Sequence, residues 1–183
     1  MNLGEKTRTD VDARIDQFRE KYGEFELVER TVENDPEYFE HGRELAQRGW
    51  RGDACTWVRS DDGSDRLFIR HPEAPKKWGI PGGTHQGDES FEDTARREVR
   101  EETGLDCEIT NLWRVVRRTI VLETNPEKRL HVLTTQFEGR ADGDSSPSAT
   151  GDDEILEARW FDKPPASVHE FLESKVRAWA DGH

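Results

Sequence analysis

Sulfur, lysine and long apolar runs are scarce in this chain. Its 183 residues include two Cys, one Met and only 7 Lys. Cys55 and Cys107 give no disulfide framework and too few thiolates for a Cys-based zinc site. No apolar run approaches the roughly 20 residues of a membrane helix. The opening MNLGEKTRTD has no apolar signal core. A membrane protein is thereby excluded, secretion through a cleaved signal is disfavoured, and a cytoplasmic protein is expected. The six His show no metal-ligand spacing and are assigned no role. Positive charge is also short: 27 Lys and Arg face 40 Asp and Glu, for a net charge of -13. Such a surface repels the phosphate backbone, so general nucleic-acid binding is disfavoured.

What is present argues for a folded domain. Charged residues make up 37% and hydrophobic ones 32%, but the apolar residues cluster and six are Trp. A chain of this length buries roughly 70% of its unfolded surface and needs no staples. The acid is spread along the whole chain. Dispersed acid with little Lys resembles cytoplasmic proteins of salt-loving archaea, where concentrated salt screens self-repulsion while carboxylates stay hydrated. An ordinary acidic mesophilic protein is the other reading.

Val11, Ile15, Phe18 and Tyr22 recur at helical spacing, predicting a helix over 10–22 that Gly23 stops. A strand follows over 25–32. Asp35-Pro36 then opens a helix running to about Arg48. These first 50 residues read as a partly helical extension, with the main domain over 51–183. There, 54–59 and 66–71 flank a polar turn, as in a hairpin. Trp78 to Gly83 reads as a short strand entering a loop. A helix is expected at about 90–103, with Ser90 as its cap and Gly104 at its end. Strands are expected at 112–123 and 130–138, joined by a turn around Asn125-Pro126. A mobile loop is expected over 139–153, a strand over 155–161 and a helix over 168–180. This order predicts a mixed α/β sandwich, not a doubly wound parallel sheet.

On a helical wheel, Phe91, Ala95 and Val99 share one apolar arc of about 80°. Glu92, Asp93, Arg96 and Arg100 lie opposite and are expected to be solvated, with Glu92 pairing Arg96. Glu98, Glu101 and Glu102 fall at the edge of the apolar stripe, within an arc of about 100°. Carboxylates crowded at a core edge repel one another and pay for burial. A hard divalent cation such as Mg²⁺ would compensate them.

The spacing Gly83, five residues, Glu89, seven residues, Arg97-Glu98-Val99, one residue, Glu101-Glu102, one residue, Gly104-Leu105 resembles the complete box of the Nudix family. Pro81-Gly82-Gly83 resembles the family's lead-in, and Glu157 to Phe161 its late strand. The resemblance implies an α/β/α sandwich around a mixed sheet, and the partly helical N-terminal extension lies outside it. It also implies Mg²⁺- or Mn²⁺-dependent hydrolysis of a nucleoside diphosphate linked to another moiety. By that resemblance Glu98, Glu101 and Glu102 are the metal carboxylates, and Gly83 offers a carbonyl to the metal. Arg97 orients the glutamates. Glu89 is an outer ligand or a structural partner of Arg97, the latter preferred. The general base is Glu98 or an acid of the loop Gly151-Asp152-Asp153-Glu154, with Glu98 favoured and Glu154 the loop candidate.

Arg70, Lys76, Lys77, Arg114, Arg117 and Arg118 are candidate phosphate contacts or exposed salt-bridge partners. Trp78 and Trp113 could stack on a base, though core packing is favoured. The expected partner is a small nucleotide-type substrate, and a homodimer remains open. A non-catalytic nucleotide sensor on the same fold is the alternative, which the filled box disfavours, and a purely structural interaction protein leaves the box unexplained. No subtype pattern beyond the box appears in 120–123, so the substrate is left unnamed.

Overall fold

The computed structural model of the chain describes residues 1–150 and 153–182. In chain order the elements are α1 (Leu3–Tyr22), β1 (Glu26–Asn34), α2 (Pro36–Gln47), β2 (Gly52–Arg59), β3 (Arg66–Arg70) and β4 (Gly82–Thr84). They continue with α3 (Phe91–Thr103), β5 (Cys107–Leu122), β6 (Asn125–Ala141), β7 (Glu157–Phe161) and α4 (Glu173–Asp181), the last preceded by a 3-10 turn at Glu170–Leu172. The strands hydrogen-bond in the order β1-β5-β6-β2-β3-β7, with β4 paired to β2. β1 runs parallel to β5 and β3 antiparallel to β7, so the sheet is mixed. Among the described residues no helix is long and apolar enough to cross a membrane.

Contacts divide the chain into two compact units. The first holds residues 1–54, 83–94 and 111–137. Helix α1 starts at Leu3, well before the expected residue 10. Asn2 accepts from the Glu5 N–H and Glu5 accepts from the Asn2 N–H, both at 2.9 Å, which satisfies two orphan donors of the first turn. Val11, Ile15 and Phe18 of α1 are buried, and Phe18 meets Phe91 and Phe137 edge-on. β1 pairs with β5 from Glu26↔Arg114 to Asn34↔Leu122. Phe39, Ala46, Ile120, Leu130 and Val132 form a second apolar cluster.

The second unit holds residues 55–82, 95–110 and 138–183. Successive strand residues point to opposite faces. Trp57 and Phe68 therefore join Val176 and Trp179 of α4 on one side. Val58 and Leu67 join Val99 of α3 on the other. A helix on each face of the strands is the α/β/α layering.

Several boundaries differ from the sequence reading. The β5–β6 turn is at Glu123-Thr124, not around Asn125-Pro126, which begins β6. β6 also continues through Gly139 to Ala141, which were expected in a loop. A Cβ on Gly139 would come within 3.0 Å of the Thr56 side chain, so glycine marks a close approach there, not a turn. Strand pairing lies at Gly82–Thr84, and Trp78 and Gly79 make only isolated bridges. β7 begins at Glu157, not residue 155, and the last helix proper begins at Glu173. Of the expected mobile loop, residues 151 and 152 lie outside the described part.

Candidate active site

Helix α3 is defined by its ends. The Ser90 Oγ accepts from the Asp93 N–H at 3.0 Å, capping an orphan donor. Gly104 closes the helix at φ +73, a conformation that favours glycine. Phe91, Ala95 and Val99 are fully buried, which fixes the helix rotation. Thr94 donates to the Glu89 carboxylate at 2.7 Å, tying the segment before the helix to its first turn.

That rotation sets the three carboxylates in different surroundings. Glu102 is 5% exposed and accepts from the Gly82 N–H at 3.1 Å. Burial pushes its carboxyl up to about 8 against the Gly82 hydrogen bond, and the charges of Glu98, Glu154 and Glu101 add to the rise. Glu98 is half-buried and is likewise raised, by burial first and by Glu101 and Glu154, while Arg97 opposes. Glu101 is exposed. Arg97 bonds both Glu98, at 2.7 Å, and Glu101, at 3.1 Å. Gly83 follows the amide that Glu102 accepts from, within β4.

The loop after β6 docks on the end of this helix. Thr150 Oγ1 donates to the Glu101 carbonyl at 2.5 Å, and the Ser148 N–H donates to the Thr103 carbonyl at 3.0 Å. The Thr150 N–H reaches the Glu102 carbonyl at 3.4 Å. These contacts satisfy carbonyls that a helix C-terminus leaves orphaned. On the far side of residues 151 and 152, the loop is pinned by His71 Nδ1 against the Glu154 carbonyl at 3.1 Å. Glu154 itself is exposed. Gly151 and Asp152 of the loop candidates lie outside the described residues.

The oxygen-donor set matches a hard divalent cation. Among the described residues no three His, Cys, Asp or Glu side chains form a ready-made cage.

A NUDIX domain profile matches residues 50–179. The chain belongs to the Nudix family. Among curated relatives, zebrafish (Danio rerio) 8-oxo-dGDP phosphatase NUDT18 is 31% identical over 99 residues. That match covers 52% of this chain but only 28% of the relative's length. Isopentenyl-diphosphate Delta-isomerase 1 of Aromatoleum aromaticum is 29% identical over 140 residues, 71% of this chain and 73% of that protein. Among solved structures, a NUDIX hydrolase from Nitrosomonas europaea superposes with TM-score 0.53 at 19% identity, covering 73% of this chain and 72% of that one. A MutT NUDIX hydrolase from Burkholderia pseudomallei gives TM-score 0.51 at 24% identity, covering 69% and 95%. Both show a Nudix fold for this chain.

One expectation about the Nudix box helix is corrected. Glu92 is not on a solvated face: it is 8% exposed and accepts from Lys21 Nζ at 2.8 Å and the Tyr22 hydroxyl at 2.7 Å. Burial pushes this carboxyl up, but the bonds from Lys21 and Tyr22, with a backbone hydrogen bond and the Lys21 charge, together hold the group below its usual range. Its partners come from α1, some 70 residues earlier in sequence, so no local pattern could reveal them. Arg70 pairs with Glu157, Arg114 with Glu26, Arg117 with Asp12, and Arg118 with Asp53. Lys76 and Lys77 are exposed. Trp78 packs edge-on against Phe161 at 4.7 Å, with Arg70 and Arg159 over its ring. Trp113 is half-buried beneath Arg114. Sequence reasoning missed Gly82 and Thr150 as partners of the box helix. Only the threonine hydroxyl and the glycine amide hinted at donors there.

Proposed function

We propose that the chain is a divalent-metal-dependent pyrophosphohydrolase. Its substrate on this reading is a nucleoside diphosphate linked to another moiety. One observation carries the reading: buried Glu102 stands in the combined field of Glu98, Glu101 and Glu154. Such an arrangement is costly unless a cation joins it. Glu98, Glu101 and Glu102 would hold Mg²⁺ or Mn²⁺, with the Gly83 carbonyl as a further oxygen. When bound, the ion neutralises phosphate charge and acidifies a water.

The chain's own groups do the rest. Arg97 orients Glu98 and Glu101 through charge-assisted hydrogen bonds. The Gly82 amide orients Glu102. On this reading Glu98, whose carboxyl is raised chiefly by burial, takes the proton of the attacking water as general base. Glu154 is the loop carboxylate that could take that proton instead. Attack on phosphorus breaks the anhydride and leaves two phosphate-bearing products. Within this reading residues 51–183 are the hydrolase domain and 1–50 its N-terminal extension, and the dispersed acid suits a salt-rich cytoplasm.

The relatives' names support a diphosphate substrate: one acts on 8-oxo-dGDP, the other on isopentenyl diphosphate. The second also supports a rival reading, isomerisation of a diphosphate ester, because it matches over more of both chains. The test is a panel of nucleoside di- and triphosphates, dinucleotides, nucleotide sugars and isopentenyl diphosphate, with Mg²⁺ and with EDTA. Metal-dependent release of two phosphate-bearing products supports hydrolysis. Double-bond migration without phosphate release selects the isomerase. Tight binding without turnover selects a sensor.

A further inference from the structure

The first compact unit contains a cleft of about 810 Å³, within the range of small-molecule sites. One wall is built by the first two turns of α1 and by α2, which contribute Leu3, Arg8 and Phe39. The other is the β5–β6 hairpin, which contributes Leu122, Lys128 and Leu130. The first wall lies outside residues 50–179 of the family profile, so this chain adds the cleft to its Nudix fold. No residue between 83 and 105 lines it.

The floor is apolar and the rim cationic. Phe39 and Leu130 are 5% and 1% exposed and belong to one apolar cluster. Arg8, Arg43, Lys128 and Arg129 outnumber Glu5, Glu40 and Glu127 in a chain of net charge -13. Glu5 is engaged by the Asn2 amide and Glu40 by Arg43. Arg8 meets Asp12 only at 3.9 Å, and Arg129 donates to the Pro126 carbonyl. Glu5 keeps its charge in the Asn2 bond and Lys128 also acts on Glu40, so the rim carries four cations against three anions, a small positive excess. His131, 8% exposed on the cleft wall, senses that excess. Burial first, then the charges of Arg117, Arg8 and Arg129, hold its imidazole below the usual range, against Asp12.

We propose that this cleft binds an organic phosphate, its apolar body against Phe39 and Leu130 and its phosphate toward Arg8, Lys128 and Arg129. The site is separate from the box and does not depend on turnover there. A nucleoside monophosphate and a prenyl monophosphate share this chemistry, and neither contains an anhydride to hydrolyse.

Calorimetric titration of the full chain in EDTA with AMP, dimethylallyl monophosphate and inorganic phosphate tests the proposal. One organic phosphate should bind with a Kd of about 1 mM or tighter, and inorganic phosphate more weakly. Which of the two binds identifies the source. Arg8→Glu and Lys128→Glu, on opposite walls, should each weaken binding about tenfold, while Glu102→Gln leaves it unchanged. Melting curves check that the variants fold, and Arg8→Gln and Lys128→Gln replace any that do not, with a smaller loss expected. The proposal is overturned if neither organic phosphate binds, if binding survives the charge changes on both walls, or if Glu102→Gln abolishes it.

Discussion

Glu102 is the residue on which folding and chemistry meet. Its carboxyl stands near 8 in the folded chain against an ordinary 4.5, chiefly through burial. Between those values the folded state holds a proton that the unfolded state has released. Stability from this group is therefore complete below pH 4.5 and lost as pH rises through about 8. Melting temperatures in EDTA should fall across that window, and Glu102→Gln should flatten the fall. The same variant should lose orders of magnitude in turnover with Mg²⁺, since metal charge stabilisation is worth several kcal/mol and each ~1.4 kcal/mol is tenfold. Asp93→Asn is the matched control: it removes one charge from an exposed position on the same helix and should leave the rate within about twofold. Glu92 cannot serve as that control, because its loss would strip Lys21 and Tyr22 of their acceptor.

At the level of elements, α1 and the loop after β6 each hold a part of the box helix. Phe18 of α1 is 5% exposed and packs edge-on against Phe91. Phe18→Ala should cost about 3–5 kcal/mol in denaturant unfolding, whereas a dangling extension would tolerate it with little change. The loop is held by Thr150 on the Glu101 carbonyl. Thr150→Val removes that donor while nearly keeping the shape. A net hydrogen bond of about 1 kcal/mol corresponds to a roughly fivefold change. The variant should speed amide hydrogen exchange over 145–150 by about that factor and lower kcat similarly with KM little changed, and Thr150→Ser should restore both. Unchanged exchange in the valine variant would show that the hydroxyl does not hold the loop.

For the molecule as a whole, charge is the dominant long-range term. At -13 the folded chain repels itself more strongly than its expanded form, and salt screens this within a Debye length of ~10 Å at 0.1 M and ~3 Å at 1 M. The melting temperature should therefore climb from low salt into molar KCl. A flat or falling curve would mean that ion pairs such as Arg114–Glu26 and Arg117–Asp12 already balance the local repulsion.

The box could be read from sequence because its determinants are local. Ser90 caps, Gly104 terminates, and Phe91, Ala95 and Val99 recur at the helical period, so spacing alone sets which face carries Glu98 and Glu102. The mixed α/β sandwich was legible from the order of strand and helix signals, while the division of Trp57 and Val58 between two apolar clusters came with the packed strands. What sequence could not decide was how deeply each group is buried and what it touches across long separations. Glu92 shares its helix with the box glutamates, yet its surroundings depend on Lys21 and Tyr22 of α1. Arg114, Arg117 and Arg118 read equally as phosphate ligands or ion-pair partners until β1, α1 and β2 supplied Glu26 and Glu29, Asp12, and Asp53. Local periodicity rotates a helix, but only the packed chain excludes water from one of its carboxylates and leaves the next exposed. Desolvation and long-range pairing are properties of that packing, which is why the raised carboxyl of Glu102 belongs to the tertiary structure.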